Sequence, residues 1–170
     1  MRVLGIDPGT AVLGYGVVEG GPGLASRLLE CGTLTTTPRD PLPARLRVIH
    51  DGMQALIARH VPDAIAVESA FHGKNVRTTI ALSHARGVIL LAGEQAGLLI
   101  AEYSPAQVKK SVVGRGAAMK PQVSYMVTQL LRLKSPPTPS DAADGVAVAL
   151  THLLVAGRKE MFTRRAAATR

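Results

Sequence analysis

Arg2-Val3-Leu4-Gly5-Ile6-Asp7-Pro8-Gly9-Thr10, followed by Gly14-Tyr15-Gly16-Val17-Val18-Glu19, sets an apolar run, an acid and a Pro-Gly turn ahead of a second apolar run. Residues 2–7 and 14–19 are short, aliphatic and bounded by turn residues, which is the signature of strands; 24–34 reads as a third after Gly20-Gly21-Pro22-Gly23. Links this short suit antiparallel neighbours, because a parallel crossover takes a dozen residues or more. An antiparallel three-strand meander is therefore expected. Beyond the proline loop at 38–43, Leu46, Ile49, Met53, Leu56 and Ile57 recur at helical spacing, and 63–68 reads as a buried strand. A long helix over 76–96, a strand over 98–103, a short helix opened by Ser104-Pro105 and stopped at Val113-Gly114, a helix over 121–133 and a last one over 141–156 follow. Three strands and then alternating helix and strand predict an α/β fold with a mixed five-stranded sheet, the later strands parallel, flanked by helices.

The chain's 170 residues suffice for one domain with a real core. Hydrophobic residues are 46% and aromatics 3%, so extended disorder is excluded and the core must be aliphatic. Residues 1–157 are read as that domain and 158–170, with Arg164 and Arg165, as a flexible basic tail. A formal charge of +8 and a pI near 10.3 favour a polyanion as partner, with nucleic acid leading, because lysines and arginines on phosphates release counterions. Cys31 is the only cysteine, which rules out an intramolecular disulfide and a thiolate metal cage. It reads as a small core residue, and an intracellular, cytoplasmic protein is expected. The first apolar run meets Asp7 before reaching signal-peptide length, and 87–101 is interrupted by Glu94 and Gln95, so no membrane role is expected.

Of the twelve acids, Asp7, Glu68, Asp141 and Asp144 stand in apolar surroundings. Asp7 and Glu68 each end an apolar strand. Asp141 and Asp144 open the last helix three residues apart, hence on one face, with Cβ atoms roughly 5–6 Å apart. Taken alone, the pair could serve the helix, since acids in a first turn complement the macrodipole and Ser140 suits an N-cap. If the four converge, bare carboxylates repel by about 4 kcal/mol per pair at 4 Å and an effective dielectric near 20. Such a cluster requires divalent cations, and oxygen donors without cysteine or spaced histidines suit Mg²⁺ or Mn²⁺. Two ions roughly 4 Å apart can activate water and stabilise the leaving oxygen of a phosphodiester.

Residues 4–10 and 14–18, Val67-Glu68 with Phe71 three residues on, Lys74-Asn75, Ala85-Arg86-Gly87-Val88, Glu102-Tyr103, Gln107-Val108-Lys109, Val112-Val113-Gly114, Lys120, Gln122-Val123 and Asp141-Ala142-Ala143-Asp144 resemble, in order and spacing, the RuvC family of bacterial Holliday-junction resolvases. The resemblance covers about residues 2–156. It implies a ribonuclease H-like fold, a homodimer, and paired, symmetric, metal-dependent incision of four-way junction DNA in recombination and repair, with two ions per site. It also implies hand-over from the RuvA–RuvB branch-migration complex. Asp7, Glu68, Asp141 and Asp144 fall on the family's catalytic, metal-binding acids, and the position of Asp141 is Asp in some members and His in others.

Lys109 and Lys120 fall on family lysines that contact DNA near the scissile phosphate. Lys74, Arg77, Arg86 and Arg115 extend the positive surface, and Phe71 is placed to stack on a splayed base. His72 is a weaker candidate for DNA contact. His50, His60 and His84 read as surface or packing residues, and His152 as facing roughly the side of the aspartate pair. Two further readings compete: an actin-like ATPase fragment, since Asp7-Pro8-Gly9-Thr10 resembles that superfamily's phosphate turn, and a non-catalytic junction-binding module in which the acids only cap and pair.

Overall fold

The computed structural model describes residues 1–21, 24–69 and 76–168, with side chains described up to residue 157. Five strands, β1 (Arg2–Asp7), β2 (Val12–Gly21), β3 (Leu24–Thr35), β4 (Ala64–Glu68) and β5 (Leu99–Tyr103), form one sheet in the order β3-β2-β1-β4-β5. β1–β2 and β2–β3 are antiparallel, while β1–β4 and β4–β5 are parallel. The expected meander and parallel extension are both present.

Five helices cover the sheet: α1 (Leu42–His60), α2 (Val76–Gln95), α3 (Pro105–Val113), α4 (Lys120–Leu130) and α5 (Ser140–Ala168). α1 starts inside the stretch read as a proline loop, because Pro43 stands in its first turn, where a missing N–H costs nothing. α4 ends earlier than predicted, at Leu130, and the chain turns through Arg132 at φ 52°. α5 runs past the predicted end at 156 into the segment read as a basic tail. Its first residue is Ser140 rather than a residue capped by it: the N–H groups of Ala142 and Ala143 donate to the Pro139 carbonyl at 3.0 and 3.4 Å.

Side-chain alternation divides the core. Leu4, Ile6, Ile65 and Val67 point to the face covered by α1 and α2, with Ile49, Met53, Leu56, Ala85 and Ile89. Val3, Ala66 and Tyr103 point to the opposite face, with Val146, Leu150 and residues of α3 and α4. Period-two geometry then dictates the site: Asp7, two residues past Gly5, and Glu68, two past Ala66, share the α5 face. Behind the sheet, Glu30 of β3 accepts from the Tyr15 hydroxyl at 2.9 Å and pairs with Arg59 at 2.5 Å and His60 at 2.9 Å, tying α1 to the β3 edge. Cys31, partly buried, packs against the α5-side core, and burial pushes its thiol up, as suits a packing residue.

α5 lies on backbone rather than on side chains. A Cβ at Gly5 would stand 2.3 Å from the Ala149 nitrogen and 2.3 Å from the Gly145 carbonyl oxygen, and one at Gly16 would stand 2.6 Å from the Val146 Cα. A Cβ at Gly14 would stand 1.9 Å from the Asp141 carbonyl oxygen, and one at Gly145 would meet Tyr15 backbone at 2.6 Å. Because Gly5 pairs with Gly16 and Asp7 with Gly14, the β1–β2 floor under the first half of α5 carries no side chain except Asp7, with Val3 and Val18 rising beyond it. Only glycine permits this approach, and it brings Asp144 into one hollow with Asp7.

Candidate active site

Asp7 closes β1 and Glu68 closes β4, and since Ile6 pairs with Val67 in parallel register the two acids are neighbours at adjacent strand ends, about 4.8 Å apart along the hydrogen-bonding direction. Carboxyl ends of parallel strands are where open α/β sheets place their sites. α5 adds Asp144 from above. α3 adds Lys109, held at a fixed angle by a complete capping box: Gln107 N–H donates to Ser104 Oγ at 3.3 Å and Ser104 N–H to Gln107 Oε1 at 2.7 Å. α4 adds Lys120 from its first turn. Asp7, Glu68, Lys109, Lys120 and Asp144 line one hollow of about 240 Å³, floored by Pro105, Val108, Val123 and Ala147.

Electrostatics in this hollow are strained in one direction. Burial, then Glu68 and Asp144, push the Asp7 carboxyl from 3.8 up to about 7, with Lys120 opposing and Asp141 adding a smaller push. Burial and Asp144 raise Glu68, against Lys120 and Lys109. Lys120 Nζ donates to Asp144 Oδ2 at 2.8 Å, and this bond raises the lysine above its ordinary value. Packing opposes this repulsion. Val146, Val148, Leu150 and Leu153 of α5 are 6% exposed or less, and burying four such side chains contributes about 6–12 kcal/mol as an upper bound. Three facing carboxylates make three pairs at roughly 4 kcal/mol each, a cost of the same size, which a neutral Asp7, Lys120 or bound cations would relieve.

Among the described residues of the hollow, carboxylate oxygens are the groups able to ligate a metal; three carboxylates face it from three elements, and a cation would relieve their excess negative charge, so the residues fit hard divalent ions. Among the described residues, no three His, Cys, Asp or Glu side chains already close on one point as a metal grip, and Lys120 serves as the counter-charge on Asp144. Asp141 does not line the hollow, though its charge reaches Asp7 and Lys120. Arg77, Arg86 and Arg115 also lie outside its lining. Arg86 is paired with Glu102 of β5, and Arg115 donates to the neutral amide oxygen of Gln122 at 3.3 Å. Phe71, His72 and Lys74 lie outside the described residues.

His152 is a support that spacing alone did not define. Its ring is buried, 6% exposed, with Nδ1 2.9 Å from the Tyr103 hydroxyl and the two rings edge to face at 6.0 Å. Tyr103 pairs in register with Glu68, so this contact fixes the strand end beside that acid from α5. The signal was its position two turns after Asp144 on an apolar helix.

A family model described as crossover junction endodeoxyribonuclease RuvC matches residues 3–152. The chain belongs to the RuvC family. A crossover junction endodeoxyribonuclease RuvC of Salinispora arenicola is 46% identical over 166 residues, 98% of this chain and 95% of the relative. One of Chloroflexus aggregans is 48% identical over 162 residues, 95% of this chain and 98% of the relative. Among solved structures, Thermus thermophilus RuvC in complex with Holliday junction substrate superposes with a TM-score of 0.89 at 38% identity, covering 94% of this chain and 96% of that one. The yeast mitochondrial Holliday junction resolvase, at 14% identity and a TM-score of 0.73, shares the fold. The ribonuclease H-like architecture expected from the resemblance is thus the observed one, and RuvC membership makes the chain an endodeoxyribonuclease rather than an ATPase fragment or a passive binding module. No helix among the described residues is long and apolar enough to cross a membrane.

Proposed function

We propose that this RuvC-family chain resolves four-way DNA junctions as a homodimer, with Asp7, Glu68, Asp141 and Asp144 holding two Mg²⁺ or Mn²⁺ ions against the phosphate to be cut. The observation that carries the reading is the convergence of Asp7, Glu68, Asp144, Lys109 and Lys120, from five different elements, on one hollow. Bound there, such ions would supply a hydroxide-like nucleophile at neutral pH and stabilise the leaving oxygen. The protein's own groups do the rest. Asp7 and Glu68 are rigid, being the ends of paired strands, and orient the donor oxygens. Lys120, 73% exposed at its side chain, can leave Asp144 when ions arrive and turn to the phosphate, while Lys109 neutralises the developing charge from the α3 side. Asp141, outside the hollow's lining, is proposed to reach a cation once DNA and ions draw the site together. Phe71, Lys74, Arg77, Arg86 and Arg115 are proposed DNA contacts, and the RuvA–RuvB complex the supplier of junctions in the bacterial cytoplasm.

Incubation with a synthetic four-way junction, a linear duplex and an RNA–DNA hybrid, each with Mg²⁺, Mn²⁺ or EDTA, tests this. Symmetric cuts in the junction alone, in either metal and not in EDTA, are expected. Folded protein that leaves the junction intact in both metals would sink the proposal.

A further inference from the structure

Residues 103–140, from the last residue of β5 to the first of α5, contain Lys109, Lys110, Arg115, Lys120, Arg132 and Lys134 and not one Asp or Glu. Among the described residues only Lys120 of these six is paired with an acid. The first turn of α4 links three hollows: the acidic one shares Lys120, Val123 and Asp144 with a second of about 210 Å³, and that one shares Pro121 with a third of about 370 Å³ lined by Val113, Pro121, Gln122, Tyr125 and Met126. Tyr125 stands at this third hollow 62% exposed, and Met119 nearby is 65% exposed. An exposed tyrosine on a segment that carries cations and no acid presents a flat apolar ring where a polyphosphate would run.

Resting on the nuclease reading above, we infer that the α3–α4 face is a second strand-holding site, in which Tyr125 packs on a nucleotide of the junction arm and Arg115 takes its phosphate. Charge commits the occupant to DNA, since a protein partner chosen for the apolar ring would also have to neutralise the cations around it. Continuity agrees: Pro121, next to Lys120 in the first turn of α4, lines both the second hollow and the one that holds Tyr125. Gln122, which lines the hollow with Tyr125, accepts from the Met119 N–H at 2.9 Å and from Arg115, and so holds the guanidinium without cancelling its charge. The site would hold the arm leaving the catalytic hollow, and so set which phosphate lies over the acids.

Fluorescence anisotropy of a labelled four-way junction in EDTA, where no strand is cut, separates the possibilities. Tyr125→Ala is expected to weaken binding about tenfold, and Tyr125→Phe, which keeps the ring, to bind as wild type. Arg115→Gln is expected to lower the slope of log Kd against log salt by about one. A methylphosphonate scanned through the nucleotides nearest the cut should reach one position where it weakens wild type but not Arg115→Gln. Unchanged affinity in Tyr125→Ala together with an unchanged salt slope in Arg115→Gln, while wild type still cuts junctions, overturns the inference and gives the hollow to another occupant. Wild-type protein that neither binds nor cuts junctions removes the nuclease reading, and this inference with it.

Discussion

Asp7 is the residue on which stability and activity pull apart. Its carboxyl stands at about 7 in the folded protein against 3.8 ordinarily, because burial and the facing acids disfavour the anion. Between about pH 4 and 7 the folded state therefore keeps a proton that the unfolded chain has released, and this group's contribution to stability falls as pH rises through that window, levelling above it. Metal-free Asp7→Asn should lack that component: its thermal midpoint should exceed that of wild type at pH 8, with the gap closing toward pH 4. Differential scanning calorimetry in EDTA reads this, and parallel pH profiles for the two proteins would contradict the assignment. The same variant should lose at least about 10²-fold in junction cleavage while binding the junction in EDTA at least as well as wild type, since it loses a donor for the cations but no positive charge. Glu68, raised in the same direction, should behave likewise as Glu68→Gln in the cleavage assay. These acids were legible in the sequence because an ionisable group that ends an apolar strand has few structural reasons to be there. Asp141 was legible only as half of a pair: three-residue spacing puts it on one helical face with Asp144, yet it does not line the hollow. Tyr125 was legible only as a position off the Val123, Met126, Val127 and Leu130 face of its helix, since nothing in a sequence marks an exposed aromatic as a contact.

At the scale of elements, the docking of α5 on β1 and β2 decides whether the acids meet. The glycines read from sequence as strand and turn residues turn out to act as a floor: Gly5 and Gly16 face α5, and Gly145 is the helix's own half of the contact. Their meaning was hidden because it lies in a contact between segments more than a hundred residues apart, whereas the strands themselves were legible from local alternation. Gly5→Ala would force a methyl to within 2.3 Å of α5 backbone, with no flexible side chain to yield. Overpacking of this kind costs about 1–3 kcal/mol or more, so a lowered urea midpoint is expected. Cleavage should fall further than the loss of folded protein explains, because the shift lifts Asp144 from Asp7. Gly87→Ala, on the outer side of α2, is the control for folding alone: a methyl there would meet nothing within 4 Å of its own chain, and an exposed helical glycine gains stability from alanine, by up to about 1 kcal/mol. Equal drops in urea midpoint in the two variants would refute the account of α5 as a helix laid on bare backbone.

At the scale of the whole molecule, α2 leaves an apolar stripe uncovered among the described residues. It buries Ala85, Ile89, Ala92 and Gly93 toward the sheet, while Val76, Ile80 and Leu91 are 71%, 52% and 51% exposed, and intervals of four and eleven residues put these three, with Gly87, on one outer side of the helix. The homodimer proposed above would account for such a stripe, since a two-fold pair would cover the same patch twice and present two identical sites to a symmetric substrate. Ile80→Glu combined with Leu91→Glu places like charges face to face in that contact but alters no buried position, so the fold should survive; changes at such exposed sites are usually within about 0.5 kcal/mol. Sedimentation equilibrium should show the variant as monomer where wild type is dimer. On a supercoiled plasmid carrying a cruciform, wild type should yield linear product through paired cuts, whereas the monomer should give nicked circles, because one active site relaxes the cruciform before a second can act. A variant that still sediments as a dimer would move the interface elsewhere, and a monomer that still linearises the plasmid would separate paired cutting from dimerisation.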